Sequence, residues 1–157
     1  MMTDETPSIT RDSTISLREV NAETVRIICR LDVSEEQQHF VAPNAVSIAQ
    51  AYFEPKAWFR AIYADETPVG FLMLDDDPEK PHYFLWRYMI DARYQKMGFG
   101  KRAMDLLLEY VRTRPGAREL SLSCHPGEEG PEPFYRQYGF ALTGRMIGDE
   151  AEMRIDL

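Results

Sequence analysis

The spacing of hydrophobic positions in the first half of the chain predicts three strands and two helices. Apolar residues interleaved with polar ones indicate a first strand over 15–20, and Asn21 can cap a helix that ends at about Leu31. A second, short helix capped by Asn44 follows a polar connection. Residues 58–74 then predict two strands joined by a hairpin turn.

The second half is organised around one long unit: a strand over 83–90, a glycine-containing turn over 95–100 and an amphipathic helix over 101–114. Apolar residues of that helix recur every three or four positions, which predicts one face packed on a sheet. A strand over 120–124 then makes a parallel crossover. A proline-rich loop, a short helix over 134–138 and a terminal hairpin follow.

The composition is typical of one soluble globular domain. The chain has 157 residues, of which 44% are hydrophobic and 28% charged. No apolar run approaches the roughly 20 residues that a membrane span needs. Residues 1–14 are expected to form a flexible tail, and because residues 1–13 do not resemble a secretory signal, a cytoplasmic location is expected. Cys29 and Cys124 lack the spacing of a disulfide framework or a zinc site.

The net charge of −8 changes which partners are plausible. So acidic a surface repels nucleic-acid phosphates and attracts a small cationic substrate. Acidic residues in the 32–44 segment and in a predicted loop over 75–81, chiefly 75–79, are expected to supply this attraction.

The glycine turn predicts an anion site, because backbone N–H groups at a helix start are exposed there. The P-loop pattern fails, since Gln95 stands at its first glycine position and Arg102 at its Ser/Thr position. A dinucleotide fingerprint is met literally by Gly98, Gly100 and Ala103. The third pattern is QxxGxG, formed by Gln95, Gly98 and Gly100 after a strand.

This third pattern resembles the acetyl-CoA signature of the GNAT N-acetyltransferases. Ile90 stands five residues before the glutamine, and the apolar helix follows at once. The sequence FYxxxGF, from Phe134 to Phe140, resembles the C-terminal motif of the family. Segments 40–49 and 85–91 are similar to the bacterial spermine/spermidine (diamine) acetyltransferase branch.

The resemblance covers nearly the whole chain and implies a fold. It implies an α/β (α+β) class, with a single GNAT-like domain over 15–157. Its mixed, mostly antiparallel sheet would have six to seven strands, splayed at one point, flanked by about four helices. A homodimer is left open, and no membrane, nucleic acid or metal is implied.

The resemblance also implies acetyl-CoA as acyl donor. The backbone at the end of the 83–90 strand would pair with the pantetheine arm, and the loop amides would hold the pyrophosphate. The implied cofactor-binding residues are Met89, Ile90, Gln95, Lys96, Met97, Gly98, Phe99, Gly100 and Lys101.

The family reaction is direct attack of an amine on the thioester, and the resemblance implies Tyr135 as the acid that protonates the thiolate. A tyrosine pKa near 10 suits protonation of a thiolate whose thiol has a pKa near 8.5. The base that deprotonates the amine is left open among Glu36, His39, Tyr83, His125 and a water chain. The expected substrate-binding residues are Glu36, His39, Tyr83 and Trp86.

One departure concerns the loop before Tyr135. Where the family often has an asparagine that bonds the cofactor, followed by an alanine, this chain has Glu128 and Pro131. A carboxylate has no N–H donor, so the lower edge of the cofactor site is expected to differ.

The expected activity is acetyl transfer to a primary amine of a small cationic acceptor, such as spermidine. Three alternatives stay open: transfer to an amino acid, peptide N-terminus or aminoglycoside; a non-catalytic acyl-CoA sensor; and a nicotinamide-dependent oxidoreductase built on the dinucleotide fingerprint.

Overall fold

The computed structural model of the protein describes residues 8–157. The strands, in chain order, are β1 (Ile15–Arg18), β2 (Ala57–Ala64), β3 (Thr67–Asp77), β4 (His82–Ile90), β5 (Glu119–Cys124), β6 (Ala141–Ile147) and β7 (Glu150–Asp156). The α-helices are α1 (Val25–Arg30), α2 (Asn44–Phe53), α3 (Phe99–Arg112) and α4 (Glu132–Tyr138). Two short 3₁₀ helices lie at Glu35–Phe40 and Ala92–Tyr94.

The seven strands form one sheet in the order β1-β2-β3-β4-β5-β7-β6. All neighbours are antiparallel except β4 and β5, which are parallel and joined through α3. A parallel pair needs a crossover connection, and α3 supplies it. The predicted fold class, a single domain with a mixed, mostly antiparallel sheet and four helices, is confirmed.

Each face of the sheet carries its own hydrophobic cluster. On one face, α3 packs on the sheet through Met104, Leu107 and Val111, which are fully buried. On the other face, α1 packs through Ile28 against Phe71 and neighbouring residues. Successive residues of a strand point to opposite faces, so a strand such as β3 serves both clusters. The two faces are called here the α3 face and the α1 face.

The sheet opens between its two parallel strands. Only Phe84 and Leu85 of β4 are paired with β5, and the last pair is Leu85 with Leu122. The next residue, Trp86, is a bulge, because Leu85 pairs with Leu74 of β3 and Arg87 already pairs with Met73. A bulge bends its strand and increases the local twist. Beyond Trp86, β4 therefore diverges from β5 and leaves a gap in the sheet.

Helix starts differ from the sequence prediction in three places. Asn21 accepts hydrogen bonds from the backbone of Glu23 and Thr24, so it caps a turn, and α1 begins only at Val25. Asn44 does not cap α2; its buried side chain donates to the carbonyl of Ile28 at 2.9 Å, and Pro43 is the cap. Helix α3 begins at Phe99 instead of residue 101, with Gly98 as its cap.

The acidic stretch predicted as a loop over 75–81 is a strand as far as Asp77. Asp76 accepts hydrogen bonds from Tyr110 and Arg114, and Asp77 pairs with Lys56 at 2.7 Å. These carboxylates lie at the end of β3 that pairs with the start of β4, far along the sheet from Ile90. The prediction that they attract the acceptor is therefore wrong, because local cations already neutralise them.

The predicted tail over 1–14 falls partly outside the described residues, which start at residue 8. Within the described part, Arg102 of α3 donates to the carbonyl oxygens of Arg11 and Ser13 at 2.8 and 2.6 Å. Thr14 donates its N–H to Asp65 at 2.9 Å. Residues 11–14 are thus attached to the domain. Among the described helices, none is long and apolar enough to cross a membrane.

Candidate active site

The gap between β4 and β5 opens into a cleft of about 760 Å³. Its walls come from β4, the glycine loop, the end of β5, the start of α4 and the 3₁₀ helix Glu35–Phe40. The cleft brings together most of the predicted site residues: His39, Trp86, Met89, Ile90, Gln95, Lys96, Gly98, Phe99, Gly100, Lys101, His125 and Tyr135. A split in the sheet thus connects the α3 face with the α1 face.

The glycine loop has the backbone of an anion site. Gly98 has φ +81°, a left-handed conformation that glycine adopts without strain, and open space surrounds the position of a β-carbon. The first hydrogen bond of α3 runs from Arg102 N–H to the carbonyl of Gly98. The N–H groups of residues 99–101 therefore have no acceptor within the helix and lie at the positive end of its dipole.

Gly100 lies in contact with α4. A β-carbon at this position would lie 3.4 Å from the ring of Phe134, so the first turn of α3 packs closely on α4. The carbonyl of Gly100 also accepts a hydrogen bond from the hydroxyl of Tyr88 in β4. These contacts fix the start of α3 against the strand and the helix that border the cleft.

Gln95 ties the glycine loop to the other walls of the cleft. Its amide nitrogen donates to the carbonyl of Ile90 and to the side chain of Gln37, both at 2.9 Å. Gln37 returns a hydrogen bond at 3.3 Å. Gln95, predicted to bind the cofactor, therefore holds the strand end, the loop and the 3₁₀ helix together.

The exposed edge of β4 presents alternate backbone groups to the gap. Asp91 donates its N–H to Val69 of β3, so by the alternation of an antiparallel pair Met89 also faces β3. A side chain on Gly70 would run into the carbonyl oxygen of Met89, which agrees with this direction. Tyr88 and Ile90 therefore point their backbone groups into the gap. The prediction that the backbone of Met89 pairs with the pantetheine arm is wrong, because its N–H and carbonyl groups are directed towards β3.

Tyr135 lies in the middle of α4 and lines the cleft, and it is only 7% exposed. Burial raises its pKa well above the ordinary value, and Cys124 and Glu150, which in their ionised forms oppose a phenolate, add to the shift. Its ring packs edge-on against Phe140 and Tyr88. No described residue accepts a hydrogen bond from its hydroxyl. The phenol is thus neutral, fixed in place, and has a proton to donate.

Two histidines flank the opposite wall. The ring centroids of His39 and His125 lie 6.3 Å apart, and the ring of Phe40 lies tilted against His39 at 3.8 Å and 5.5 Å from His125. The ring of Phe40 also approaches Gly130, so that a β-carbon there would be 3.1 Å away. The 3₁₀ helix and the loop before α4 therefore meet above the cleft and bring both candidate bases to it.

Three predicted site residues lie elsewhere. Tyr83 is 1% exposed, and its hydroxyl donates to the carbonyl of Pro115 at 2.6 Å, so it is a core residue and can serve neither as base nor as substrate contact. Glu36 is exposed on the outer side of its 3₁₀ helix and does not line the cleft. Met97 packs on the core of the α3 face. Glu128 is also exposed outside the cleft, although Glu129 and Pro131 line it.

The cleft is also lined by residues that were not predicted as site residues, among them Tyr88, Arg87, Cys124 and Glu150. Burial raises the pKa of the Cys124 thiol to about 11, so it is a neutral thiol at pH 7. Burial lowers the pKa of Arg87, against the opposing effect of Glu150. The alternation of side chains along β4 could have predicted that Tyr88 belongs to the site. Glu150 could not be predicted, because it reaches the cleft only through the pairing of β7 with β5.

The profile of the acetyltransferase (GNAT) family matches residues 17–140. A spermine/spermidine N(1)-acetyltransferase of Bacillus subtilis is 25% identical over an alignment of 142 residues, covering 84% of this chain and 91% of the relative. An L-2,4-diaminobutyric acid acetyltransferase of Streptomyces avermitilis is 34% identical over 76 residues, 48% of this chain and 42% of that protein.

Solved structures agree on the fold. A PaiA N-acetyltransferase from Thermoplasma acidophilum, in complex with coenzyme A, superposes with a TM-score of 0.67 at 18% identity, covering 92% of this chain and 99% of the other. An acetyltransferase from Thermus thermophilus gives a TM-score of 0.70 at 17% identity, with coverages of 92% and 97%.

Proposed function

Because the chain belongs to the acetyltransferase (GNAT) family, we propose that it transfers the acetyl group of acetyl-CoA to a primary amine of a small cationic acceptor. The observation that carries the proposal is the cleft at the split between β4 and β5. It joins a glycine loop that suits a pyrophosphate, a strand edge whose backbone groups face the gap, and a buried neutral tyrosine.

Acetyl-CoA would lie along the split. The N–H groups at the start of α3 suit the pyrophosphate, and the nearby Lys96 and Lys101 add positive charge. The gap-facing backbone groups of Tyr88 and Ile90 can pair with the amides of the pantetheine arm, as a strand adds to a sheet edge. The thioester would then lie deeper in the cleft, towards Tyr135.

The residues of this chain supply proton transfer and orientation. The amine attacks the thioester carbonyl, and the C–S bond breaks as the tetrahedral adduct collapses. Tyr135 gives its proton to the departing thiolate, since a raised pKa keeps the phenol protonated until the thiolate forms. A polyamine with a pKa near 10.4 is mostly protonated at pH 7, so one proton must leave before attack, for which His39 and His125 are the candidate bases.

We propose a polyamine as the acceptor. Support comes from the Bacillus subtilis relative, a spermine/spermidine acetyltransferase by name, and from the net charge of −8. Two carboxylates, Glu129 and Glu150, line the cleft. Both would attract an ammonium group.

A second acceptor class, a diamino acid, is favoured by one specific observation. Arg87 lines the cleft, and its buried Nε has no hydrogen-bond partner among the described residues. A guanidinium in such a position suits a carboxylate. The Streptomyces avermitilis relative, a diaminobutyric acid acetyltransferase by name, agrees with this class.

The test measures acetyl-CoA turnover with a panel of amines, and the release of free thiol is the readout. The panel contains spermidine, spermine, putrescine, 2,4-diaminobutyrate and lysine, with CoA binding measured separately by calorimetry. If a polyamine has the highest kcat/KM of the panel, the first acceptor class is supported. If 2,4-diaminobutyrate has the highest kcat/KM, the second class is supported. CoA binding without transfer to any amine would instead indicate an acyl-CoA sensor.

A further inference from the structure

We propose that Glu150, held in place by Ser123, binds the ammonium group of the acceptor on the side of the sheet opposite Tyr135. This proposal rests on the acetyl transfer proposed above and adds the residue that selects a cationic acceptor. It applies to both acceptor classes, since each carries the amine that is acetylated.

Glu150 is the first residue of β7 and stands one residue beyond the last pair of β5 and β7, which is Cys124 with Ala151. It therefore lies where the paired part of β5 ends and the cleft begins. Its carboxylate lines the cleft and accepts a hydrogen bond from the Ser123 hydroxyl at 3.1 Å. This bond uses Oε1 and orients the side chain, which leaves lone pairs on both oxygens for a donor such as an ammonium.

Side-chain alternation places Glu150 and Tyr135 on different faces. Leu120, Leu122 and Cys124 belong to the core of the α3 face, together with Tyr135. Ser123 lies between Leu122 and Cys124 in β5, so its side chain points to the α1 face, and Glu150 must lie there to bond with it. An acceptor held by Glu150 would therefore approach the split from the α1 face, while the proton donor for the thiolate stands on the α3 face.

Electrostatics agrees with this placement. The negative charge of Glu150 helps to raise the pKa of Tyr135 and that of Cys124, so all three groups lie close to one another across the split. The same charge opposes the fall in the pKa of Arg87. These effects agree with the position of Glu150 in the lining of the cleft.

The other charged groups of this region leave Glu150 as the best partner for an ammonium. Arg87 is a cation, and two of its nitrogens donate to Trp86 and Gln50. Glu129 is exposed on the loop before α4, without the hydroxyl partner that orients Glu150. His125 follows directly on the end of β5 and also faces the cleft, where it can take the proton that the ammonium releases.

The chemistry indicates binding and not proton abstraction by Glu150. A carboxylate is a far weaker base than an amine, so Glu150 is suited to pair with the ammonium ion and not to deprotonate it. The ammonium loses one proton to water or histidine, the neutral nitrogen forms the C–N bond, and the C–S bond breaks. Tyr135 protonates the thiolate and regains a proton from the new amide nitrogen, so protons and charge balance.

The test compares Glu150→Gln with Glu152→Gln. Glu152 lies on the same strand and also accepts a hydroxyl hydrogen bond, from Thr143 at 2.9 Å, but it does not line the cleft. Losing one charge-assisted contact predicts a KM for the amine that rises roughly tenfold to a hundredfold in Glu150→Gln. The KM for acetyl-CoA and the dissociation constant of CoA should stay within about twofold of wild type, and Glu152→Gln should match wild type throughout.

Two further variants separate charge from structure. Glu150→Asp keeps the charge and should recover part of the amine affinity, and Ser123→Ala should raise the amine KM by a smaller factor than Glu150→Gln. An unchanged amine KM in Glu150→Gln, with CoA still bound, overturns the proposal. An equal rise in the amine KM in Glu150→Asp and Glu150→Gln also overturns it, because the charge of the side chain would then not contribute to amine binding. If the wild type transfers acetyl to no amine while CoA binds, it is the proposed function that fails.

Discussion

The side-chain amide of Gln95 donates a hydrogen bond of 2.9 Å to the carbonyl oxygen of Ile90. This bond joins the glycine loop to the last residue of β4, at the mouth of the split. The same nitrogen donates to Gln37, so the loop is also joined to the wall that carries His39. One side chain therefore connects the proposed cofactor site to the proposed acceptor site.

Gln95→Ala should weaken CoA binding without unfolding the protein. It removes the bonds to Ile90 and Gln37, and each neutral hydrogen bond contributes about 0.5 to 1.5 kcal/mol. We expect a dissociation constant for CoA raised about fivefold to a hundredfold in calorimetry. The control is Gln37→Ala, which leaves the bond to Ile90 intact and should have a clearly smaller effect. Equal effects in the two variants would contradict a role for the Ile90 bond.

Gly98→Ala should lower both stability and CoA affinity. Its φ of +81° strains an alanine by about 1 to 2 kcal/mol, and the new methyl group would occupy open space beside the N–H groups of α3. Gly144 in β6 is the matched control, since it has φ +88° and equally open surroundings. Urea unfolding should show similar losses for Gly98→Ala and Gly144→Ala, but only Gly98→Ala should reduce CoA affinity.

Tyr135→Phe should reduce kcat by about 10²- to 10⁴-fold, the usual contribution of a general acid. CoA affinity and the melting temperature should change little, because no described residue accepts a hydrogen bond from the hydroxyl. Tyr138→Phe is the control: it removes a hydrogen bond of 2.6 Å to Asp105, outside the cleft, and should cost stability while leaving kcat unchanged. A fully active Tyr135→Phe would exclude the phenol as proton donor.

The pH profile offers a second check on Tyr135. Burial raises its pKa above the ordinary value near 10, so the phenol stays protonated through the neutral and mildly alkaline range. We therefore predict that, at every pH up to about 10, ionisation of this group causes no decrease in kcat. A descending limb near pH 8 that disappears in Tyr135→Phe would contradict this prediction.

Asp91 should make the stability pH-dependent at low pH. Burial alone would raise its pKa, but hydrogen bonds from Arg93 and from the N–H of Asp32 lower it below the ordinary value. A lowered pKa stabilises the fold above the unfolded value near 3.9, and this stabilisation is lost as the pH falls through the folded value. Asp91→Asn should therefore destabilise the protein at pH 7 by about 1 to 3 kcal/mol.

The difference between Asp91→Asn and wild type should shrink as the pH falls below about 4, because the carboxylate of the unfolded wild-type chain takes up a proton there while the folded protein, with its lowered pKa, still holds it ionised. Urea unfolding at pH 7 and at pH 3.5 measures both values. Asp149→Asn, at an exposed turn position, is the control and should give the same small difference at each pH. A pH-independent loss in Asp91→Asn would mean that shape, and not charge, stabilises this site.

The order of elements followed from the sequence because it depends on local patterns. The apolar period of the helix over 101–114 and the glycines before it predicted α3 and its crossover correctly, since such patterns follow from the geometry of helices and turns. Tyr135 and the QxxGxG loop were found through their resemblance to a family. The structure brings both to one cleft, although 35 residues separate Gly100 from Tyr135.

Tertiary structure alone decided where the sheet opens and which carboxylates face the cleft. The bulge at Trp86 arises from unequal pairing of β4 with β3, which no local pattern encodes. Asp76 and Asp77 look like free acids in the sequence but are neutralised by residues 21 to 38 positions away. Glu150 reaches the cleft because β7 pairs with β5. The sequence determined the chemistry that is present, and long-range strand pairing determined which groups share the site.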